Sequence, residues 1–482
     1  MASSTSQTGL PDLYSRIEEL SVSDDGQRRS PYPPIPALYT SRPIIQDSLS
    51  TESSEVQDGV IRDCLPFLEG NPNKQPLNSR GIQALQRDNH VEFLKDALED
   101  YPAGFVAVDA SRPWIYYWSL SGLAMLGENL DKYRQRLISN LLAAQNSTGG
   151  FGGGHGQYSH VAGSYAGVLS LAILGGKECY DMIDRKAMWE FLGNMKQRDG
   201  GFTVAPGAEE DIRGAYCAMT IVSLLNLPLE LPKGSPARVN GDETFFTGLP
   251  EWISRCQSFE GGIGASPGNE AHGAYAFCAL ACLSLIGAPY EMIPKYLDIH
   301  SLTAWLSSQQ HAPEGGFAGR TNKLVDGCYS HWVGGCWSML ECAIWGPDTH
   351  PRNGKELWSK NGLARWILCC CQGKNGGLRD KPKKHPDAYH TCYNLAGLCA
   401  AQFQYVYRPS ELNPFANAPL SAAFSWTIQD SNSNGVLETC PATDEQWCWD
   451  EKDLLKPVHP VFVIPLGQAD KIRGYFEAKG AF

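Results

Sequence analysis

Five glycine pairs recur along the chain, at Gly149-Gly150-Phe151, Gly200-Gly201-Phe202, Gly261-Gly262-Ile263, Gly315-Gly316-Phe317 and Gly376-Gly377-Leu378. Their spacing of about 50 to 60 residues is longer than that of common helix-pair solenoids. Each pair lies between two stretches of helical length. The stretch before it is amphipathic and ends in a glutamine or nearby polar residue (Gln145, Gln197, Gln257, Gln310, Gln372). The stretch after it opens with aromatic or charged residues and then runs apolar nearly all round, as in AYCAMTIVSLLNL and AYAFCALACLSLIG. A helix apolar on every side needs cover on most sides, and an amphipathic one belongs outside. The expectation is all-α: an inner ring of buried helices within an outer ring, an α/α barrel, with glycines allowing the reversal at each outer helix's C-terminus. Closure of such a barrel gathers the openings of the inner helices at one end, among them Trp114, Arg213, His272, Asp326 and His390.

Composition bounds the partners. A formal charge of -12 argues against a nucleic-acid backbone or an anionic membrane as the main partner. No stretch approaches the roughly 20 apolar residues that span a bilayer, so neither stable membrane insertion nor a secretory route is expected, and a cytoplasmic protein is. The 16 cysteines lie mostly in apolar, helix-like segments and read as reduced core residues, with one available for chemistry. Residues 1–58 are rich in Ser, Thr, Pro and Gln and are expected to form a largely disordered tail. Residues 59–482 are expected to form a single barrel domain with a variable connection near 408–456.

The segment Gly315 to Trp332, GGFAGRTNKLVDGCYSHW, concentrates chemistry. Arg320 and Lys323 suit a diphosphate clamp, in which each charge-assisted contact counts, although as a bare pair they are weak. Asp326 and Cys328 offer a carboxylate and a thiolate to zinc, and His390 in HPDAYHTCYN a third ligand. Three protein ligands leave the fourth position open, as catalytic zinc requires. Alone, D-x-C is common and usually structural.

The blocks SRPWIYYW, GGFGGGHGQYSHVAGSYA, DIRGAYCA, EGGIGASPGNEAHGAYAFC, GRTNKLVDGCYSHW and GGLRDKPKKHPDAYHTCYNLAG stand in this order from about Val91 onward. They resemble the successive signature blocks of protein prenyltransferase β subunits. The resemblance implies an α/α barrel that pairs with a helical-repeat α subunit. It also implies transfer of an isoprenoid from a diphosphate to the cysteine of C-a-a-X proteins, such as small GTPases. It makes Asp326, Cys328 and His390 the ligands of one Zn²⁺, and His272, Arg320, Lys323 and Tyr329 the diphosphate-binding positions. It assigns Trp114, Arg213, Tyr216, Tyr275, Cys278 and Trp332 to the isoprenoid cavity. Trp114, Trp118, His160, Ala162, Asp387, Tyr389 and Tyr393 match positions contacting the peptide or limiting the cavity.

Two features of the resemblance favour farnesyl diphosphate over its geranylgeranyl homologue. Trp114 is bulky where the type I geranylgeranyl enzymes carry a smaller residue, and Asp380 stands where the farnesyl enzymes hold Mg²⁺ against the diphosphate. DGC rather than DTC at Asp326 to Cys328 points the same way. Three residues depart from the family pattern: Gly163 for a proline, His331 for an aromatic and Arg379 for an apolar residue. A type I geranylgeranyltransferase β subunit is the nearest rival. A terpene cyclase would need a DxDD run that the chain lacks, and a binding-only toroid would leave Asp326, Cys328 and His390 without a joint role.

Overall fold

Side-chain caps punctuate the helices. Asp184, Asp298 and Ser359 open three outer helices, and His160, Asp211, His272 and Asp387 open four inner ones, each accepting a backbone N–H of the first turn. The computed structural model describes residues 37–39, 49–99, 101, 103–347, 356–409, 413–416, 418–429, 447–480 and 482. Helix α1 (Glu52–Leu68) leads into an outer helix α2 (Arg87–Asp96) and inner helix α3 (Arg112–Met125). Outer α4 (Arg134–Ala144) and inner α5 (Val161–Leu174) follow, then a short α6 (Lys177–Asp181), outer α7 (Arg185–Met195) and inner α8 (Ile212–Leu224). Next come outer α9 (Leu249–Arg255), inner α10 (Gly273–Ile286), a connecting α11 (Pro289–Tyr296) and outer α12 (Ile299–Ser308). The fifth inner helix is broken into α13 (Tyr329–Trp332) and α14 (Cys336–Trp345). Outer α15 (Lys360–Arg365) runs on into a π-helical turn, Trp366–Cys371, before inner α16 (Ala388–Gln402), and the chain ends in α17 (Gln468–Lys479).

The inner helices pack in sequence, α3 on α5, α5 on α8, α8 on α10, α10 on α13 and α14, and α13 on α16. Helix α16 then packs on α3, which closes the barrel. Small residues on the inner helices, such as the Gly, Ala and Cys of α10, permit this close approach, and nearly every residue of α5, α8 and α10 is buried. The expected two-ring architecture is therefore the one observed.

The glycine pairs do more than turn the chain. A Cβ on Gly261, whose φ is +98°, would lie 2.3 Å from the carbonyl oxygen of Ser301 in the next outer helix, and one on Gly262 would lie 2.6 Å from the ring of Trp305. Gly149 meets Ala187, Gly200 meets Gly248, Gly315 meets Gly362 and Gly376 meets Asn89 in the same way. Each pair is thus the seat on which the following outer helix rests its backbone and an aromatic ring. The glutamines complete the seat. Gln145 bonds Met182 and Asp184, Gln257 bonds Asp298, Gln310 bonds Ser359 and Gln372 bonds Ala84 and Gln86, in each case one backbone C=O and one N–H at 2.8 to 3.0 Å. Gln197 makes no such clamp, and beside it Lys196 donates to the Gly200 carbonyl at 2.6 Å. The last clamp, from Gln372 back to the start of α2, closes the outer ring. Only α2 lacks a glycine-pair seat for its successor. There a cleft of about 270 Å³ opens between the segment after α2 and helices α3 and α4, lined by Leu98, Tyr101, Arg112, Tyr116, Arg136 and Leu137 among others.

The far end of the barrel is stoppered from within. Residues 461–464 are buried, and their carbonyls at Val463 and Val461 accept from the hydroxyls of Tyr117 (2.8 Å) and Tyr216 (2.6 Å). Two details go beyond the expected outline. Helix α1 begins at Glu52, capped by Thr51, inside the stretch assigned to the tail. Its first turns are polar, and Val60, Ile61, Cys64 and Leu68 bury only its second half, so composition hid it. The rest of the expected tail lies outside the described residues, apart from Ala37–Tyr39 and Leu49–Ser50. Within the connection near 408–456, an antiparallel two-stranded sheet pairs Tyr405–Tyr407 with Trp426–Ile428, a small exception to an all-helical chain; residues 410–412, 417 and 430–446 lie outside the described residues. No helix among the described residues is long and apolar enough to cross a membrane.

Candidate active site

Because every inner helix follows an antiparallel outer one, all the inner N-termini face the same mouth. Contacts between neighbouring helix starts show it: Arg213 of α8 lies over the Tyr275 ring of α10 (5.8 Å), and His272 Nε2 lies 3.1 Å from the Tyr329 hydroxyl of α13. One turn deeper, aromatic rings form a continuous belt. Tyr117 meets Tyr165 (6.2 Å between centroids), Tyr165 meets Tyr216 (5.5 Å), Tyr216 meets Phe277 (5.9 Å) and Phe277 meets Trp332 (5.7 Å). Trp332 meets Tyr393 (4.5 Å), which meets Tyr389 (5.0 Å), and Trp118 and Trp114 complete the circuit. Tyr165 and Phe277 were not among the expected site residues. They stand five residues after the caps His160 and His272, as Tyr216 stands five after Asp211, so aligning the repeats by their caps would have found them.

At one side of the mouth, between α13 and α16, Asp326, Cys328 and His390 each bring one ligand atom within 4.8 Å of the others. Asp326 Oδ1 accepts the Cys328 N–H (2.8 Å) and lies 3.3 Å from His390 Nε2. Asp387, expected to contact peptide, caps α16: one oxygen accepts the His390 N–H and the other faces His390 Nδ1, both at 2.7 Å. A carboxylate on Nδ1 leaves Nε2 as the donor atom, the arrangement of metal-bound histidines. Burial pushes the Cys328 thiol well up and the Asp326 charge adds to this, so a cation is needed to hold it as thiolate. Burial opposes charge on His390, but its bonds to Asp326 and Asp387 hold it up at about 9. Carboxylate, thiolate and imidazole, partly buried and open to the mouth on one side, fit Zn²⁺ in a catalytic rather than a structural site.

The other expected residues fall into two groups. Burial, reinforced by the Arg320 charge, lowers His272 to about 4, so it is neutral beside Tyr329. Tyr389 accepts from the Trp332 indole (3.1 Å) and meets Trp118 edge-on (5.3 Å), while Tyr216, Cys278 and Tyr393 are buried in the inner wall. Arg320 and Lys323 stand further out: Arg320 pairs with Glu270 (3.1 Å) and Lys323 is exposed. Arg213 is held by Asp211 (3.0 Å), and His160 caps α5 at the rim beside half-buried Ala162. The Asp380 carbonyl accepts from the Gly327 N–H (2.7 Å) while its carboxylate pairs with Lys381, and burial followed by the Asp326 charge raises its pKa. Of the departures, His331 is buried and stacks on Tyr393 (5.2 Å), acting as one more ring of the wall. Arg379 lies over Phe67 of α1 (5.4 Å). Gly163 is buried in the first turn of α5.

A closed α/α barrel with a three-ligand metal site at its mouth defines a class: the chain belongs to the prenyltransferase α/α-toroid family, whose model matches residues 85–464. It is 48% identical to a protein farnesyltransferase subunit beta of Pyricularia oryzae, over 93% of this chain and 85% of the relative. A protein of the same name from Schizosaccharomyces pombe is 33% identical over 89% of this chain and 98% of its own length. A solved Candida albicans protein geranylgeranyltransferase-I complexed with GGPP shares the fold, with a TM-score of 0.58 at 21% identity over 82% of this chain and 99% of that one. Within the family the chain stands with the farnesyltransferase β subunits.

Proposed function

We infer that the chain is the catalytic β subunit of a protein farnesyltransferase, working with an α subunit, and that it farnesylates the cysteine of C-terminal C-a-a-X sequences. The observation that carries this reading is the Asp326, Cys328 and His390 donor set beside the His272 and Tyr329 pair, at the mouth of an aromatic-walled cup. In the reaction a sulfur–carbon bond forms at C1 of the isoprenoid as the C1–oxygen bond breaks, diphosphate leaves and the thiol proton passes to solvent. A bound zinc ion lowers the pKa of a coordinated thiol, which supplies the nucleophile at neutral pH. Tyr329, with His272, Arg320 and Lys323 at the rim, stabilises charge growing on the leaving oxygens, and the inner helices present their N-termini to the same anion. Tyr216, Tyr275, Cys278 and Trp332, with Trp114 and Arg213, hold the isoprenoid against the dry wall. Trp118, His160, Ala162, Asp387, Tyr389 and Tyr393, with Trp114, are the proposed peptide contacts.

Asp380 is proposed to hold Mg²⁺ against the diphosphate, releasing Lys381 as it does so. A type I geranylgeranyltransferase is the second reading, and Trp114, the bulk that would exclude the longer chain, weighs against it. The described cysteines form no disulfide, which supports a reducing, cytoplasmic setting. The test is co-expression with the α partner, metal analysis, and transfer from farnesyl and geranylgeranyl diphosphates to a C-a-a-Met peptide. About one zinc per heterodimer, farnesyl preference and loss of both zinc and activity in Cys328→Ala are expected. Geranylgeranyl preference would overturn the role of Trp114, and a zinc-free protein would overturn the site.

A further inference from the structure

The loop from Asp380 to Asp387 hangs from the metal site at both ends. Its first carbonyl accepts the N–H of Gly327, between two of the ligands, and its last carboxylate holds the third, His390. Its crown carries Lys381 and the exposed Lys383, Lys384 and His385, shaped by a left-handed Lys383 (φ 71°) and a Lys384 N–H to Lys381 C=O bond of 3.2 Å. Lys381 is paired with Asp380 and Lys383 with Asp63 (2.5 Å). Lys384 is exposed and has no acidic partner among the described residues, and the same holds for Lys374 and Lys323 on the neighbouring turns. Three acids of the adjacent rim are already engaged. Glu270 pairs with Arg320, Glu209 with Arg213, and Glu260 accepts from Thr321 (2.5 Å) and Trp305 (3.2 Å). On a chain of formal charge -12, the rim beside the metal ligands is left locally positive.

We propose that this loop selects acceptor proteins by charge, favouring acidic residues and disfavouring basic ones in the segment just N-terminal to the reacting cysteine. The proposal rests on the reading of the chain as a prenyltransferase. If the acceptor's C-terminus descends into the cup, the chain upstream of its cysteine must leave through the mouth past this rim. Three residues separate Lys384 from Asp387, a span of at most about 10 Å. With a screening length of about 8 Å at physiological salt, acceptor residues roughly three to six positions upstream lie within range of its charge.

The test uses the heterodimer and three peptides that share one C-a-a-Met end but carry aspartates, serines or lysines three to six residues upstream. Relative kcat/KM is measured for each, and equilibrium binding is followed by fluorescence anisotropy. At low ionic strength the aspartate peptide is expected to be favoured over the lysine peptide by about tenfold, falling to within about twofold in high salt. The double variant Lys374→Glu, Lys384→Glu should invert that order and leave the serine peptide unchanged. Equal use of the charged peptides, a preference for lysine, or an order that the double variant leaves intact would each overturn the proposal. A serine peptide that is bound but never prenylated would instead count against the assigned reaction. The anisotropy series, which needs no transfer, would still decide the charge preference.

Discussion

Asp387 shows how one carboxylate serves a helix and a metal site at once. One oxygen caps α16 and the other fixes the ring of His390. The two duties separate by substitution. Asp387→Asn keeps a capping oxygen but turns a donor towards Nδ1, so zinc affinity measured by chelator competition should fall about 10- to 100-fold with little change in thermal stability. Asp387→Ala should lose the same affinity and, in addition, about 1 kcal/mol of stability in urea. Equal zinc affinity in all three proteins would show that the bond to Nδ1 orients nothing. The ligands themselves were legible because carboxylate, thiol and imidazole are unusual together at repeat openings. The role of Asp387 was not, since an acid three residues before a histidine at a helix start reads equally well as a cap or a rim contact.

At the scale of elements, turn and seat can be distinguished. Gly261 and Gly241 share nearly the same φ, +98° and +100°, but a Cβ on Gly241 would meet nothing within 4 Å. Gly241→Ala should therefore report backbone strain alone, about 1 kcal/mol. Gly261→Ala must also displace the Ser301 carbonyl and should cost at least about 2 kcal/mol more, read as the difference between their urea midpoints. Similar losses would mean that the glycines are turns and nothing else. The period of the pairs made the alternation of rings readable, because the chain must reverse between them. The seat was hidden, since it depends on what the next outer helix places there, a distance no local pattern encodes. Helix α1 was lost for a related reason: a polar first turn looks like a tail until its buried half is seen.

For the molecule as a whole, closure and pH set the stability. Gln372→Leu leaves the N–H of Gln86 and the carbonyl of Ala84 without partners, for a loss of roughly 2 to 4 kcal/mol. Hydrogen exchange should quicken in α2 and α16 before α8, and uniform quickening would deny the ring its seam. Three fully buried histidines contribute to the acid limb, as His272 does at the mouth. Burial holds His90 at about 4 and His331 and His459 at about 3, below the unfolded value of about 6.5. Between these values the unfolded chain binds protons that the native one refuses. The histidines' contribution to stability is therefore complete above about pH 6.5 and is lost progressively as pH falls towards about 3. His331→Phe keeps a ring in the stack and should make urea midpoints fall less steeply from pH 6.5 to 4. An unchanged slope would place the acid sensitivity elsewhere.

A solenoid can gain or lose a unit at its ends and keep its shape, because each unit answers only to its neighbours. Here the last outer helix is clamped to the first and the last inner helix packs on the first, so no unit is terminal. Duplicating one hairpin would not lengthen this protein; it would change the curvature every other hairpin must adopt and force the hoop to be rebuilt at a new diameter. The number of repeats is in that sense a single indivisible choice, and variation in length is confined to the loops at the rim and to the ends of the chain.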